Sequence, residues 1–320
     1  MSGHTPYQNT YPANYRAEAV WTDSPGTIAP VVGSDLGEEF RLEANRIRVM
    51  SFNIRGSARD RGKTNAWVNR ASANVETIER CAPTLIGFQE FQRGNLKTYR
   101  QRLPGYAHIL GPRYANRFPH SFNAIFFDPA RLELLDSGGF WLSRTPERYS
   151  ASWETRVVRS ANWALFALSE AGMTLVHLNT HLDHVSSLAR REGSGLILEK
   201  LVEIREYIGT KLPLIITGDF NCRPGTPTYL NFIEGGFVDV YLAAGNEEGE
   251  DANTFHAFKG SRYRDAHPDR GPRRIDWILF KDPDRRMAVK SCSIVRDNDE
   301  SSGVYPSDHY PVLADLVQTG

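Results

Sequence analysis

The most constraining feature of the sequence is a short apolar run that stops abruptly in polar residues. Residues 214–217 are Leu-Ile-Ile-Thr, with Pro213 before them and Gly218 after them, and this pattern predicts a buried strand. Asp219 and Asn221 follow two residues apart, so they share one side of the chain if the backbone stays extended. A carboxylate and an amide at the end of a rigid strand suit chemistry. The alternative is a turn in which these side chains cap their own backbone.

Several other predicted strands begin or end at polar side chains in the same manner. The side chains found at these strand ends are Asn53, Glu90, His181, Asp219, Asn221, Asp276, Asp308 and His309. In open α/β architectures, sites assemble at strand ends, where distant parts of the chain meet. The set therefore predicts one composite site.

Hydrophobic periodicity places strands and helices in alternation. Strands are predicted within 40–55 and over 84–88, 107–110, 123–127, 173–182, 214–217, 275–280 and 310–317, with further strand-like pieces between 134 and 167. Helices are predicted over about 65–80, 92–103, 187–207 and 227–233. We expect two packed sheets flanked by helices, in one α/β domain over 41–320. Residues 1–40, rich in Tyr, Pro, Asn, Ser and Gly, are expected to form an irregular N-terminal arm.

Composition narrows the function classes. The chain carries 38 basic and 38 acidic residues, whereas a protein that coats nucleic acid by long-range attraction normally has a basic excess. A local basic groove is compatible with this balance. The three scattered cysteines exclude a disulfide framework and favour a reducing compartment. No N-terminal signal peptide or apolar run of about 20 residues is visible, so we expect a cytoplasmic protein without a transmembrane segment, and no protein partner is predicted.

The oxygen-rich side chains of the set point to a hard cation. Glu90 and Asp308 offer carboxylates, and Asn53 offers an amide oxygen. Such donors suit octahedral Mg²⁺ or Mn²⁺ far better than zinc, which prefers His and Cys. Taken alone, Glu90 has the alternative role of an acid in the first turn of the following helix.

Two histidines and several acids beside a hard cation are the groups that water attack on a phosphoester needs. The cation and one histidine neutralise charge on the phosphoryl oxygens, while a second histidine, held by a carboxylate, removes a proton from water. Asp276 suits the orienting role because its neighbours are apolar and an unpaired charge there would be costly. Two alternatives stay open: Asp276 as an ion-pair partner of Arg273 or Arg274, and His181 as a satisfied core histidine.

Six sequence blocks carry a family resemblance. They are SFNIR (51–55), GFQE (87–90), NTHLDH (179–184), TGDFN (217–221), RIDWIL (274–279) and SDHYPV (307–312). In their order they resemble the signature of the metal-dependent endonuclease/exonuclease/phosphatase (DNase I-like) superfamily. The resemblance runs from about residue 45 to 318 and looks closest to bacterial and fungal members with an NTHLDH block. It implies a four-layer α/β sandwich of two mixed β-sheets flanked by helices.

The resemblance also implies a metal site. It assigns Asn53 and Glu90 to the binding of Mg²⁺ or Mn²⁺, with Asp308 as a further ligand. The number of metal ions is left open.

Catalytic roles follow from the same resemblance. His181 and Asn221 contact the scissile phosphate. Asp219 positions or activates the nucleophilic water. Asp276 pairs with His309, which is the candidate general base.

Four further residues are candidates for contact with substrate. Arg55 lies in the first block, and Arg264 and Arg273 lie in a basic stretch, 262–274, that runs directly into the strand bearing Asp276. A solvated loop with internal Arg–Asp pairs is the alternative for this stretch. Trp163 is a candidate to stack on a base or sugar, although clustered tryptophans are more often core residues.

We therefore expect a metal-dependent hydrolase that cleaves a phosphoester bond by attack of an activated water. The basic DNA-gripping loops of abasic-site endonucleases and the extra motifs of inositol phosphatases find no strong match. Neutral charge favours a small phosphorylated metabolite or lipid head group as substrate. The alternatives are a nuclease acting on DNA or RNA, and a catalytically silent member that uses the sandwich for binding.

Overall fold

The structure, a computed structural model, describes residues 19–20, 45–112, 121–168, 172–209, 211–249, 251–265, 273–296 and 303–319. The side chains of residues 19, 20, 264 and 265 are outside this description. Most of the arm expected over 1–40 therefore lies outside the described residues. Among the helices of the described ranges, none is both long enough and apolar enough to cross a membrane.

Strands and helices alternate along the described chain. The strands are β1 (Ala19–Val20), β2 (Arg46–Asn53), β3 (Leu85–Phe91), β4 (Ala107–Leu110), β5 (Phe122–Phe127), β6 (Leu132–Trp141), β7 (Ser160–Leu168), β8 (Thr174–His181), β9 (Leu214–Asp219), β10 (Val238–Asp239), β11 (Asp276–Lys281), β12 (Met287–Ile294) and β13 (Val312–Gln318). The helices are α1 (Trp67–Cys81), α2 (Arg93–Arg102), α3 (Ser187–Ile208), α4 (Pro227–Glu234), α5 (Val240–Ala243) and α6 (Arg262–Asp265).

The strands form two mixed sheets. The first sheet has the order β1-β4-β5-β3-β2-β13-β12, and the second has the order β10-β11-β9-β8-β7-β6. The pairs β2/β3 and β8/β9 are parallel, and the other neighbours are antiparallel. Because parallel neighbours need a crossover connection, α1 joins β2 to β3 and α3 joins β8 to β9.

Three apolar cores separate four layers. Val49 and Ile215 lie in the core between the two sheets. Ile78 of α1 lies in the core that covers the outer face of the first sheet, and Ile197 of α3 lies in the core on the outer face of the second sheet. The expected four-layer sandwich is confirmed.

Local signals determine where the two crossover helices begin and end. Ala82 ends α1 in the left-handed conformation, with its N–H bonded to the Ile78 carbonyl, and Pro83 prevents continuation. The Ser186 hydroxyl caps α3 by accepting a hydrogen bond from the Ala189 N–H. Each crossover therefore returns the chain to the sheet at a defined point.

The sequence patterns predict neither β10 nor β12. β10 has two residues, which is too short for a periodic signal. β12 is mostly half-buried or exposed because it lies at the edge of the first sheet, so it lacks a clear apolar alternation.

The topology brings the polar strand ends to one edge of the sandwich. Asn53 is paired in register with Gln89 at the ends of β2 and β3, and His181 is paired with Asp219 at the ends of β8 and β9. β11 runs antiparallel to β9, so its first residue, Asp276, also lies opposite Asp219. The segment before β13 reaches the same edge because β13 runs antiparallel to β2.

Candidate active site

The Asp276–His309 pair forms one side of the site. Asp276 Oδ2 lies 2.8 Å from His309 Nδ1, and the two side chains are 1% and 6% exposed. The Thr254 hydroxyl accepts a hydrogen bond from the Asp276 N–H at 3.1 Å, which holds the start of β11 in place. Arg274 pairs with Asp239 at 2.6 Å, so it is not the partner of Asp276.

Asp219 is the central carboxylate. Its Oδ2 accepts a hydrogen bond from Asn53 Nδ2, and its Oδ1 accepts one from the Asn221 N–H, both at 2.9 Å. The same Oδ2 lies 3.3 Å from His181 Nε2 and 3.8 Å from His309 Nε2. Residues that are far apart in sequence thus meet at one side chain.

Burial and the charges of neighbouring side chains shift the pKa values of Asp219 and His309. Burial, together with the charge of Asp276, raises the pKa of Asp219 to about 7. Burial favours the neutral form of His309, but the carboxylates of Asp276, Asp219 and Asp308 outweigh it and raise the pKa of His309 to about 10. His309 therefore holds a proton near neutral pH until further positive charge comes close.

His181 and Asn221 form the opposite side. Burial lowers the pKa of His181 well below its ordinary value, so this imidazole is neutral. The Asn221 amide donates to His181 Nε2 at 2.9 Å and to the Leu182 carbonyl at 3.1 Å. His181 is thus buried and hydrogen-bonded, but it lies beside Asp219 at the edge of the sheets instead of in an apolar core.

A second group of charges lies next to this cluster. Arg55 pairs through Nη1 with Asp308 Oδ2 at 3.1 Å and through Nε with Asp60 Oδ2 at 3.0 Å. Glu90 Oε2 lies 4.0 Å from Arg59 Nε, and Glu90 lies within β3 rather than in the first turn of α2. Burial raises the pKa of Asp308, and the charge of Glu90 adds to this shift while that of Arg55 opposes it.

The carboxylate and imidazole atoms gathered at the site suit a divalent cation as ligands. Ligand atoms of Asp219, Asp276 and His309 lie within 4.8 Å of one another. The buried Asp276 Oδ1 has no hydrogen-bond partner among the described residues. Glu90 and Asp308 add two carboxylates whose like charges oppose each other, and such oxygen donors are the ligands that Mg²⁺ and Mn²⁺ prefer. Asp219, Asp276 and His309, to which the family resemblance assigns catalytic roles alone, thus also offer three closely spaced metal-ligating atoms.

The four residues predicted to contact substrate lie at different distances from the site. Arg55 lies at the site through its pair with Asp308. The Arg273 guanidinium lies 4.7 Å from the Phe255 ring, which packs edge-on against His309, so Arg273 is one ring removed from the site. Trp163 is 3% exposed in the core under α3 and α4, and the structure does not bring it to the site. The side chain of Arg264 lies outside the described part of the chain.

Arg70 is a positioning residue that the sequence analysis missed. It is fully buried, and its Nη1 donates to the Ile54 carbonyl at 2.7 Å and to the Pro306 carbonyl at 2.9 Å. These bonds tie the end of β2 to the segment that carries Asp308 and His309. The available signal was a charged residue at helical spacing on the buried face of α1.

Arg159 is a second residue that the sequence analysis missed. It directly precedes β7, and its Nη2 lies 3.3 Å from His184 Nδ1. Burial lowers the pKa of Arg159, while the carboxylates of Asp219 and Glu90 favour its charged form. Its charge therefore lies near the central carboxylate.

The described fold is a DNase I-like four-layer sandwich, and the family comparison agrees with it. The family model for the Endonuclease/Exonuclease/phosphatase family matches residues 50–309, so the chain belongs to this family.

Individual relatives share much of the chain. An endonuclease/exonuclease/phosphatase from Bacteroides vulgatus superimposes with a TM-score of 0.74 at 31% identity, covering 86% of this chain and 99% of that one. The mannosyl-6-phosphatase of Bacteroides thetaiotaomicron has a TM-score of 0.73 at 29% identity, covering 85% of this chain and 99% of its own. Nocturnin from Rattus norvegicus is 28% identical over 207 residues, which span 58% of this chain and 46% of Nocturnin.

Proposed function

We propose that this chain is a Mg²⁺- or Mn²⁺-dependent phosphoesterase. The observation that carries the proposal is the position of His309, which contacts Asp276 through Nδ1 and approaches Asp219 through Nε2. Glu90 and Asp308, with the amide oxygen of Asn53, are the proposed metal ligands. A bound cation would neutralise charge on the phosphoryl oxygens.

In this proposal, side chains of the protein position the water, accept its proton and contact the phosphate. Asp219 is held by Asn53 and Asn221, so it presents a fixed carboxylate to the attacking water. Positive charge bound beside the carboxylates would lower the proton affinity of His309, so that the neutral imidazole would be available as the base. The proton of the water would then pass to His309 Nε2, and Asp276 would stabilise the resulting imidazolium. His181 and Asn221 contact the scissile phosphate in this proposal.

The proposed substrate is a small phosphorylated molecule. The zero net charge supports it, because long-range attraction to nucleic acid is weak without a basic excess. The similarity to a mannosyl-6-phosphatase supports it as well.

A nuclease is the second candidate, and the loop after β2 favours it. This loop carries Arg55, Arg59, Arg61 and Lys63 within nine residues. Two of them lie at the site, Arg55 beside Asp308 and Arg59 beside Glu90. A steep salt dependence of substrate binding would favour this candidate.

The test is a substrate panel with purified protein. Sugar phosphates, nucleotides, oligonucleotides and nitrophenyl phosphate esters are assayed with Mg²⁺, with Mn²⁺ and with EDTA. We expect metal-dependent hydrolysis, and the variants His309→Ala and Asp276→Asn should lower kcat about 10²–10⁴-fold because they remove general base catalysis. The variant Glu79→Gln, on the exposed face of α1, is the control and should retain activity. Metal binding without hydrolysis of any ester, or activity that survives both substitutions, would contradict the proposal.

A further inference from the structure

Arg159 lies at the edge of the site, where its backbone is anchored and one donor of its guanidinium is unused. Its carbonyl accepts a hydrogen bond from the Leu142 N–H at 2.8 Å, and the next carbonyl, that of Ser160, accepts one from Asn123 Nδ2 at 2.7 Å. The guanidinium contacts His184 through Nη2, but its buried Nε has no hydrogen-bond partner among the described residues. A buried donor without a partner is costly, so a ligand that accepts from it would bind favourably.

The positive charge of Arg159 is not neutralised by a direct ion pair. Asp219, Glu90 and Asp183 favour the charged form and oppose the larger effect of burial, which lowers the pKa. None of them forms an ion pair with Arg159 among the described residues. Asp183 already accepts from the Thr155 hydroxyl and from three main-chain N–H groups of the adjoining loops.

Arg59 is a second loosely held positive charge, and it comes from the loop that follows β2 of the first sheet. It lies in the loop between β2 and α1, its side chain is 61% exposed, and Glu90 approaches its Nε to no closer than 4.0 Å. The charges of Arg59 and Arg159 oppose each other. β7 begins beside the end of β8, where Ala161 is paired with Thr180, so Arg159 lies at the sheet edge that carries His181. Arg59 lies at the same edge of the sandwich, beside Glu90. In agreement with this placement, both charges add to the burial that lowers the pKa of His181.

The other nearby cations are already paired. Arg55 is bound to Asp60 and Asp308, and His309 is bound to Asp276. A phosphodiester carries one negative charge, whereas a terminal phosphomonoester carries close to two at neutral pH because its second pKa is about 6. The additional charge of a monoester matches the two guanidinium groups that are held more loosely: Arg159, which contacts only the His184 ring, and Arg59, which has a single long ion pair with Glu90.

We propose that Arg159 and Arg59 together bind a terminal phosphate, so that the site selects phosphomonoesters over phosphodiesters. This inference rests on the proposed phosphoesterase function. The planar fork of Arg159 donates to two phosphoryl oxygens, and Arg59 adds charge from the opposite loop. A diester has one negative charge fewer and only two non-bridging oxygens, so it leaves no third oxygen for Arg59 once the fork of Arg159 is bound.

The test compares two substrates that release the same leaving group, p-nitrophenyl phosphate and bis(p-nitrophenyl) phosphate. Full-length protein with Mn²⁺ is assayed as wild type and as Arg159→Gln, Arg159→Lys and Arg59→Gln. Loss of charged hydrogen bonds should lower kcat/KM for the monoester about 10- to 100-fold in Arg159→Gln and by less than about 3-fold for the diester. Arg159→Lys keeps the charge but not the fork, so its loss should be intermediate.

Matched controls and a metal-free measurement complete the design. Arg61→Gln and Arg156→Gln remove exposed arginines from the same two loops and should leave the monoester-to-diester ratio unchanged. By calorimetry in EDTA, inorganic phosphate should bind wild type more tightly than dimethyl phosphate does, and Arg159→Gln should remove the difference.

Two outcomes separate the inference from the function on which it rests. Equal losses for both esters in Arg159→Gln, with unchanged phosphate binding, would overturn the two-arginine site and leave the phosphoesterase function intact. Activity that persists in Asp276→Asn would overturn both. A stable Arg59→Gln variant with an unchanged substrate ratio would remove Arg59 from the proposal.

Discussion

Three residues of the candidate site hold backbone conformations that non-glycine residues seldom adopt. The φ angles of Arg55, Glu90 and Asn221 are 49°, 57° and 51°, all in the left-handed region. Asn tolerates this region, but for Arg and Glu it costs about 1–3 kcal/mol. Such strain is retained where the surrounding structure requires a side chain in one direction. At Glu90 the strained residue carries a carboxylate that lies 4.0 Å from Arg59 and whose charge adds to the raised pKa of Asp308.

The variant Glu90→Asn tests whether the strained backbone of Glu90 is retained for the sake of its carboxylate. We expect it to be more stable than wild type without metal, by about 1 kcal/mol, because strain and like-charge repulsion both decrease. Mn²⁺ should stabilise wild type by about 2.7 kcal/mol at a hundred times Kd, and it should stabilise the variant far less. Thermal unfolding with and without Mn²⁺ measures both effects. The exposed substitution Glu79→Gln should behave as wild type, and a full Mn²⁺ response in Glu90→Asn would exclude Glu90 as a ligand.

The two sheets approach each other closely beneath the site. Gln89 Nε2 donates to Asn179 Oδ1 at 2.7 Å, and the Thr217 hydroxyl donates to the same oxygen at 3.1 Å. A Cβ at Gly87 would collide with Thr217 Oγ1 and would lie 2.7 Å from Asn179 Oδ1. Gly87, the first residue of the GFQE block, therefore permits the polar contact between the sheets.

Gly87→Ala should destabilise the fold by about 2–3 kcal/mol, because β3 and β9 must move apart to admit the methyl group. Urea unfolding measures the change. Gly105→Ala is the matched control, since a Cβ there has no heavy atom within 4 Å, and it should be neutral. If both variants unfold at the wild-type urea concentration, the sheets are not held this close in solution.

Burial also affects histidines that have no part in the proposed chemistry. Burial lowers the pKa of His108 to about 4, and it lowers those of His177 and His256 to about 3. His177 is fully buried and lies 2.8 Å from the Thr217 hydroxyl. The folded state thus keeps these three imidazoles neutral at mildly acidic pH.

We expect the free energy of unfolding to fall as the pH is lowered from 7 to 5. The unfolded histidines take up protons near their ordinary pKa of about 6.5, while the folded ones do not, so the unfolded state binds more protons and stability rises with pH. Each buried histidine contributes about 1–2 kcal/mol over this interval. The raised pKa values of Asp219 and His309 act in the opposite direction, but the four histidines with lowered pKa values, His181 included, outweigh them. Urea unfolding of His177→Gln should show a smaller loss than wild type, whereas the exposed His184→Gln should match wild type. An identical slope in His177→Gln would contradict the argument.

Much of the fold was predictable from local patterns. The alternation of Ile47 and Val49 with Met50 and Phe52 correctly predicts the two faces of β2. The amphipathic helices also form where their spacing predicts them. The edge strand β12 was not predictable, because a half-exposed strand carries no strong hydrophobic period.

Most of the elements, the polar strand ends and the family resemblance follow from the sequence alone, because each depends on local periodicity or on residue order. The tertiary structure decided the partners: Asp276 with His309 instead of Arg274, Asp308 with Arg55, and Arg159 with the His184 ring and no carboxylate. The physical reason is that periodicity specifies which face a side chain occupies, whereas a hydrogen bond or ion pair depends on distances between strands that are far apart in sequence.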